Sequence, residues 1–523
     1  IGVGVFTAFG SFTVPSGTDL VRTSGYDTPG PGRAAGLGRA LYAVVAAGPA
    51  TEYRAQDAGG RWFELVEEAV RPAMRGALGG GGADDSAAVA AALSLGRPID
   101  LAGRTYCVTG ISTSANPIRM FNGALKLRSG SAAGAVLFNA TAAQLVGDFD
   151  EVTFDGNHSG QTSGYPAGTV ILADVEDVRV RGCRFPNGAG GVLPSSNIRT
   201  RFVVEGSLFE GGREHGGVLN ENTIYLVGSI GGGLESSQPK HVVITGNTFI
   251  GIVPETDPGR GVGGLLFRGN SAVTPIQAHK LTVTDNLFYE CGQYANSNKV
   301  AAVSLYRACS FSNIANNKIF FGCEKGIDVQ GSDQVSVIGN IIYETGGTGI
   351  AFATRDGSKD CSFVVIEGNT IVCREDVVEP TITEVADGEF TITSAGRAWG
   401  PAIDAQGLQN TTSARHLVVA NNIVEGYLQA LLVADYHGDV AIHCNTFART
   451  TTTSTSADAR AVSILGTRAN NGITEFNLSF CDNSISQASN STYIRGVGGS
   501  LKVAGNSWHA ISSTMPALTV FRA

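Results

Sequence analysis

The segment VVITGNTFIG (242–251) constrains the fold more than any other, because it recurs. Variants are LTVTDNLFYE (281–290), VSVIGNIIYE (335–344), FVVIEGNTIV (363–372), LVVANNIVEG (417–426), VAIHCNTFAR (440–449) and LKVAGNSWHA (501–510). Each copy alternates apolar and polar residues, which puts alternate side chains on opposite faces of a strand and buries one face. Each then places Asn between two short strands, where a residue tolerant of left-handed backbone suits a sharp bend. The aligned Asn residues are Asn247, Asn286, Asn317, Asn340, Asn369, Asn422, Asn445, Asn483 and Asn506, at successive intervals of 39, 31, 23, 29, 53, 23, 38 and 23. The recurring minimum of 23 is one coil, and larger intervals are coils carrying inserted loops. Units of this kind bury their apolar face only by stacking on one another. The expected fold is therefore all-β, a right-handed single-stranded parallel β-helix.

Composition agrees. Seventy Gly and only 16% charged residues suit short strands and tight turns. A net charge of −9 argues against a nucleic-acid partner. No apolar run reaches the roughly eighteen residues of a membrane-spanning helix, so no membrane insertion is expected. The chain opens on Ile rather than Met, which reads as trimmed or processed, so a missing signal peptide says little about export. Nine Cys are scattered without a CxxC pair, which favours small buried apolar side chains over a zinc site or a disulfide framework.

Residues 1–75 lack the Asn corner and read as a small β-rich lead-in domain, with ALYAVVAA as a strand and TEYRAQDAGGRWFELVEE holding a Gly-Gly turn and an aromatic strand. Residues 76–100 read as a glycine-rich linker and a capping helix. Its start is Ala83-Asp84-Asp85-Ser86, with acidic residues at the positive helix end, and Ala87, Ala91 and Leu93 or Leu95 as its apolar face. Residues 101–523 form the β-helix domain. In the insertion 374–400, TITEVADGEFTITS reads as a β-hairpin about Asp-Gly.

The stretch RGALGGGGADDSAAVAAAL resembles the glycine-rich DD-[ST]-x-A signature that opens the β-helix of pectate-lyase-superfamily proteins, phage tailspikes above all. An Asp usual in that signature is Gly here, while the paired Asp84 and Asp85 match. The resemblance implies that the helix caps the solenoid and that Asp84 and Asp85 are structural. It further implies a bacterial surface polysaccharide as partner, a homotrimer, and a place in the virion tail or outside the cell. No long C-terminal trimerisation segment follows the last coil, which departs from many tailspikes.

A third strand per coil lies between one Asn corner and the next: GLLFRG, VSLYRA, GIDVQG, GIAFATRD, AIDAQG and ALLVAD. Alternation turns Ile327, Val329, Ile403 and Ala405 inward, hence Asp328, Gln330, Asp404 and Gln406 outward. Asp328 and Asp404 then stand two rungs apart with Ala351 between them, at a Cα separation of about 9.5 Å. That is compatible with the roughly 6.5–9.5 Å between the carboxyl groups of an inverting glycosidase. These two are the candidate acid and base. Glu344, on a turn entering the face, or Glu324 would supply the like charge that raises one pKa. Tyr306, Gln330 and Gln406 are candidates for sugar hydroxyls, and Arg268 and Arg355 for acidic groups. The hairpin insertion would form one wall of a cleft. Loop carboxylates Glu210, Glu214 beside His215, Glu255, Asp257 and Asp356 are the reserve set, each more plainly read as a surface charge. No cofactor or metal is implied.

With the resemblance, these residues lead to a depolymerase that hydrolyses glycosidic bonds of a capsular or exopolysaccharide. Two alternatives stand beside it: a uronate lyase using Arg268, Tyr306, Arg307 or Arg355, and a non-catalytic adhesin or tail fibre.

Overall fold

A computed structural model describes residues 2–3, 5–26, 38–46, 54–131, 136–157, 170–186, 192–210, 224–227, 241–251, 264–268, 280–291, 301–306, 311–321, 325–345, 347–353, 361–373, 382–386, 389–392, 400–406, 416–427, 429–434, 436, 438–448, 460–465, 476–486, 490–497, 499–509 and 518–522. The chain divides into two compact units near Ser195.

The first unit opens with a five-stranded sheet in the spatial order Gly2–Val3, Leu20–Thr23, Leu41–Val45, Trp62–Leu65, Arg54–Gln56. Val21, Tyr42, Phe63 and Leu65 are its buried apolar side chains, and Phe9 of the short helix Phe6–Ser11 packs its ring on Tyr42 and Phe63. Gly60, at φ +85°, makes the turn between the last two strands of the sequence. The two acidic residues of the helix signature then divide their work. Asp84 Oδ1 accepts the Ser86 backbone N–H at 3.0 Å at the start of the helix Ser86–Leu93. Asp85 is buried and turns back to accept the N–H groups of Leu78 and Gly79 at 2.7 and 3.1 Å. Both carboxylates bind backbone, and the glycine-rich loop is tied to the helix by one of them. The buried helix face is Val89, Ala92 and Leu93, not the expected Ala87 and Ala91. Parallel strands follow, such as Ile118–Leu127 on Leu145–Asp155.

In the second unit the repeat becomes coils of parallel strands, three to a coil, right-handed as parallel crossovers are. The Asn corners form one ladder. Asn340 donates its backbone N–H and its Nδ2 to Oδ1 of Asn369, at 2.9 and 3.0 Å, and Nδ2 also donates to the carbonyl of Ile314 at 3.0 Å. The same exchange runs from Asn247 down to Asn506, and Ser207 heads it by donating its N–H to Asn247. One detail of the corner differs from expectation. The left-handed residue is the one before the ladder Asn: Gly246, Asp285, Asn316, Gly339, Gly368, Asn421, Cys444, Asp482 and Gly505 all have positive φ. The bend is made there, which frees the ladder Asn to serve as a donor–acceptor link. Beneath the ladder the rings of Phe209, Phe249 and Phe288 stack at 4.8 and 4.7 Å.

Of the described cysteines, Cys107, Cys183, Cys291, Cys361, Cys373 and Cys481 are buried and Cys444 is exposed. In the insertion, Ile382–Ala386 pairs antiparallel with Glu389–Ile392 as expected. Among the described residues no helix is long and apolar enough to cross a membrane.

Candidate functional site

The third strands stack in the expected register. Leu265–Arg268, Val303–Tyr306, Lys325–Gln330, Thr348–Ala353, Pro401–Gln406 and Gln429–Ala434 lie side by side. One column reads Leu266, Ser304, Asp328, Ala351, Asp404, Leu432. Ile327, Val329, Ile403 and Ala405 are fully buried in the core. Two of the strands carry at their second position a glycine that a side chain would displace: a Cβ on Gly326 would meet the Gly349 carbonyl at 2.6 Å, and one on Gly349 would meet Ile371 Cγ2 at 2.6 Å. This close approach holds the Asp328 strand tightly against its neighbour.

Each carboxylate is clamped by the glutamine two residues on. Gln330 Nε2 donates to Asp328 Oδ2 at 2.8 Å, and Gln406 Nε2 donates to both oxygens of Asp404 at 2.8 and 3.0 Å. Residues i and i+2 share a strand face, so the repeated D-x-Q builds the same clamp on both rungs. Lys325, absent from the sequence expectations, brings its Nζ to 3.3 Å from Asp328 Oδ1. It begins the strand, where alternation no longer dictates side; the signal was a cation three residues before Asp328.

The outward side of these strands is not open. Asp328 and Ser304 are 0% exposed and Gln330 is 7% exposed, while Asp404 and Gln406 are half-buried. Burial pushes the Asp404 carboxyl above its ordinary value; the Gln406 hydrogen bond and the Lys325 ammonium oppose this, and the charge of Asp328 adds to it. The like charge acting on Asp404 is thus Asp328. Glu344 is buried elsewhere, on a turn at φ +56°, where Cys373 Sγ–H donates to its Oε2 at 3.4 Å.

Arg268 and Tyr306 fall in one register column with Gln330, but their side chains lie outside the described residues. So do Arg355, Arg307, Glu324, Glu214, His215, Glu255, Asp257 and Asp356 altogether, as do 374–381 and 393–399 of the expected cleft wall. Glu210 ends a strand of the set that follows the Asn corners, not of the Asp328 set. Among the described residues no group of three or more His, Cys, Asp or Glu is placed to hold a metal ion.

No protein-family model matches the sequence, and no curated protein matches it. Solved structures do resemble the chain. The enzymatically active domain of tailspike protein 2 of bacteriophage CBA120 is 14% identical with a TM-score of 0.49, over 81% of this chain and 57% of that one. The likeness is one of fold. The surface adhesin PfbA of Streptococcus pneumoniae (13% identical, TM-score 0.46) matches 87% of this chain and 92% of its own. The A-module of a mannuronan C-5 epimerase of Azotobacter vinelandii (13%, 0.41) matches 86% and 99%. This chain spans little more than half of the tailspike domain's length.

Proposed function

We propose that this chain is an inverting endo-glycoside hydrolase of a bacterial surface polysaccharide, with Asp404 as general acid and Asp328 as general base. The observation that carries the reading is the unlike setting of two equivalent carboxyls. Asp404 is pushed by burial toward its protonated form, and Asp328 is ion-paired to Lys325. Two carboxyls of equivalent position in unlike surroundings, one carrying a proton more readily than usual and one beside an ammonium, suit an acid–base division of labour. Asp404 gives its proton to the glycosidic oxygen as the bond from that oxygen to the anomeric carbon breaks. Asp328 takes a proton from the water that attacks that carbon from the opposite face, so a free hydroxyl replaces the glycosidic link. Ala351, between the two rungs, is small and, like Asp328, buried, so sugar and water reach the pair when the atoms over this face part. Gln330 and Gln406 orient the carboxylates, with Tyr306 toward sugar hydroxyls and Arg268 and Arg355 toward acidic groups. Glu344 has no contact with substrate in this reading. As the resemblance of its glycine-rich DD segment to phage tailspikes implies, the chain acts as a homotrimer in a virion tail or outside the cell.

One observation favours a non-catalytic glycan-binding role instead. Asp328 is wholly buried, so it reaches water or sugar only when the atoms over it part. Incubation with purified capsular and exopolysaccharides, followed by reducing-end and ultraviolet assays, separates the readings. New reducing ends without absorbance support hydrolysis. Both signals together indicate a uronate lyase, and neither signal leaves the adhesin.

A further inference from the structure

On the edge where each coil leaves the Asp328 face for its next strand, one position per rung forms a second column. His241 and Lys280 are register partners. Phe311 follows two residues before the partner of Thr282, and Gln334, Phe363 and His416 each stand one residue before a paired position. The spacings along the chain are 39, 31, 23, 29 and 53, the same intervals as in the Asn ladder. The column is therefore a structural repeat.

Its middle is aromatic and exposed. Phe311 and Phe363 are each 48% exposed, both at φ +54°. That backbone disfavours a bulky side chain, and water disfavours an exposed ring. The corner before each ladder Asn meets the same demand mostly with Gly, Asn or Asp. Both rings are thus held at a backbone and an exposure that each disfavour a bulky apolar side chain. Gln334 lies between them, exposed and also left-handed. Asn313 Oδ1 accepts the Ser336 hydroxyl at 3.0 Å, while neither Asn313 Nδ2 nor the Gln334 side-chain amide bonds to any described residue; the Gln334 backbone N–H donates to the Ser362 carbonyl at 2.9 Å. A shallow groove of about 600 Å³ joins Phe311, Asn313, Gln334, Ser336 and Phe363. Downstream, the His416 ring stacks on Phe363 at 4.6 Å. Upstream, Lys280 is exposed and forms no ion pair with a described residue, and Arg201 stands two rungs beyond it.

These features select an occupant. A Phe side chain carries about 200 Å² of surface, so two at 48% exposure leave about 200 Å². A stable protein interface needs about 800 Å² per partner, so a second copy of this chain is a poor fit. A polyphosphate needs a dense row of cations, which a chain of net charge −9 does not present. A single sugar strand laid along the coil axis fits. The C–H faces of its rings pack on aromatic faces, its hydroxyls take free amides, and the rings stand two rungs, about 9.5 Å, apart. We infer that this edge is a second, non-catalytic binding strip for an acidic polysaccharide, with sugar rings on Phe311 and Phe363, hydroxyls on Asn313 and Gln334, and a carboxylate at Lys280. The inference does not depend on Asp328 or Asp404 being catalytic.

Affinity electrophoresis of the full chain carrying Asp404→Asn, through gels containing polygalacturonate, alginate or dextran, tests it. Retardation is expected in both acidic gels and not in dextran. The double variant Phe311→Asn/Phe363→Asn suits the left-handed backbone and should keep its circular dichroism while weakening binding at least tenfold. Phe363→Trp, which keeps a ring, should bind as tightly as the parent. Lys280→Gln should weaken binding several-fold and flatten its salt dependence. Absence of retardation in either acidic gel, or unchanged affinity in the double variant, overturns the strip. Equal retardation in dextran overturns its acidic preference. Self-association lost in the double variant assigns the edge to a second copy, and retention of a dT oligonucleotide in place of glycan overturns the class of ligand. Failure of the wild type to cleave any glycan leaves all of these readouts intact.

Discussion

Lys325 Nζ stands 3.3 Å from Oδ1 of Asp328, and Asp328 has no exposed surface. Removing one partner of a buried pair strands the other charge at a cost of about 3–5 kcal/mol. Lys325→Met is therefore expected to lower the urea midpoint strongly. Adding Asp328→Asn should restore much of the loss, because a neutral amide needs no counter-charge. A double-mutant cycle by urea denaturation checks this, and additive losses would show that the pair is not coupled.

The raised Asp404 carboxyl makes a prediction about pH. Its folded pKa lies above the unfolded value of 3.8, so the folded state holds this proton more tightly. Its contribution is fully present below pH 3.8 and is lost as pH rises through the folded value. Asp404→Asn should remove that decline, giving a flatter stability–pH curve on the acid side of neutrality. Unfolding free energies measured across that range decide it; an unchanged slope would refute the assignment.

The same proton bears on activity. Asp404→Asn and Asp328→Asn should each reduce turnover by about 10²–10⁴-fold, the usual worth of acid–base assistance. In the wild type the alkaline limb of the rate profile should follow Asp404. Near wild-type cleavage by either variant would move attention to Glu210, Glu214, Glu255 and Asp257.

Asn340 tests the ladder. Its Nδ2 serves both Asn369 and the carbonyl of Ile314, and it is fully buried. Asn340→Ala leaves partners on two rungs unmet and should cost about 1–3 kcal/mol. Asn421→Gly, at an exposed left-handed position one residue before a ladder Asn, should be close to neutral. Equal losses in thermal melts would count against the ladder as the stabilising device.

Assembly is checked by light scattering at micromolar concentration. A mass three times that of the chain is expected, and a monomer would refute the homotrimer and any site shared between subunits.

The repeat alone determined the coil, the ladder and the column that holds Asp328, Ala351 and Asp404. Strand alternation is local: once Ile327 and Ile403 point inward, the next residue points outward, and a shared corner brings the two into register. The resemblance carried by the glycine-rich DD segment implied that Asp84 and Asp85 are structural, and the fold showed one turning to the helix and the other to the loop. The tertiary structure decided what covers a residue and what meets it from another rung. Asp328 is sealed, Lys325 reaches it from the strand start, and the charge acting on Asp404 is Asp328 rather than Glu344. It also gathered Phe311, Gln334, Phe363 and His416 into one edge. Each stands six residues before a ladder Asn, so the repeat already placed them in register, but only the folded coils show that the two rings stay exposed there.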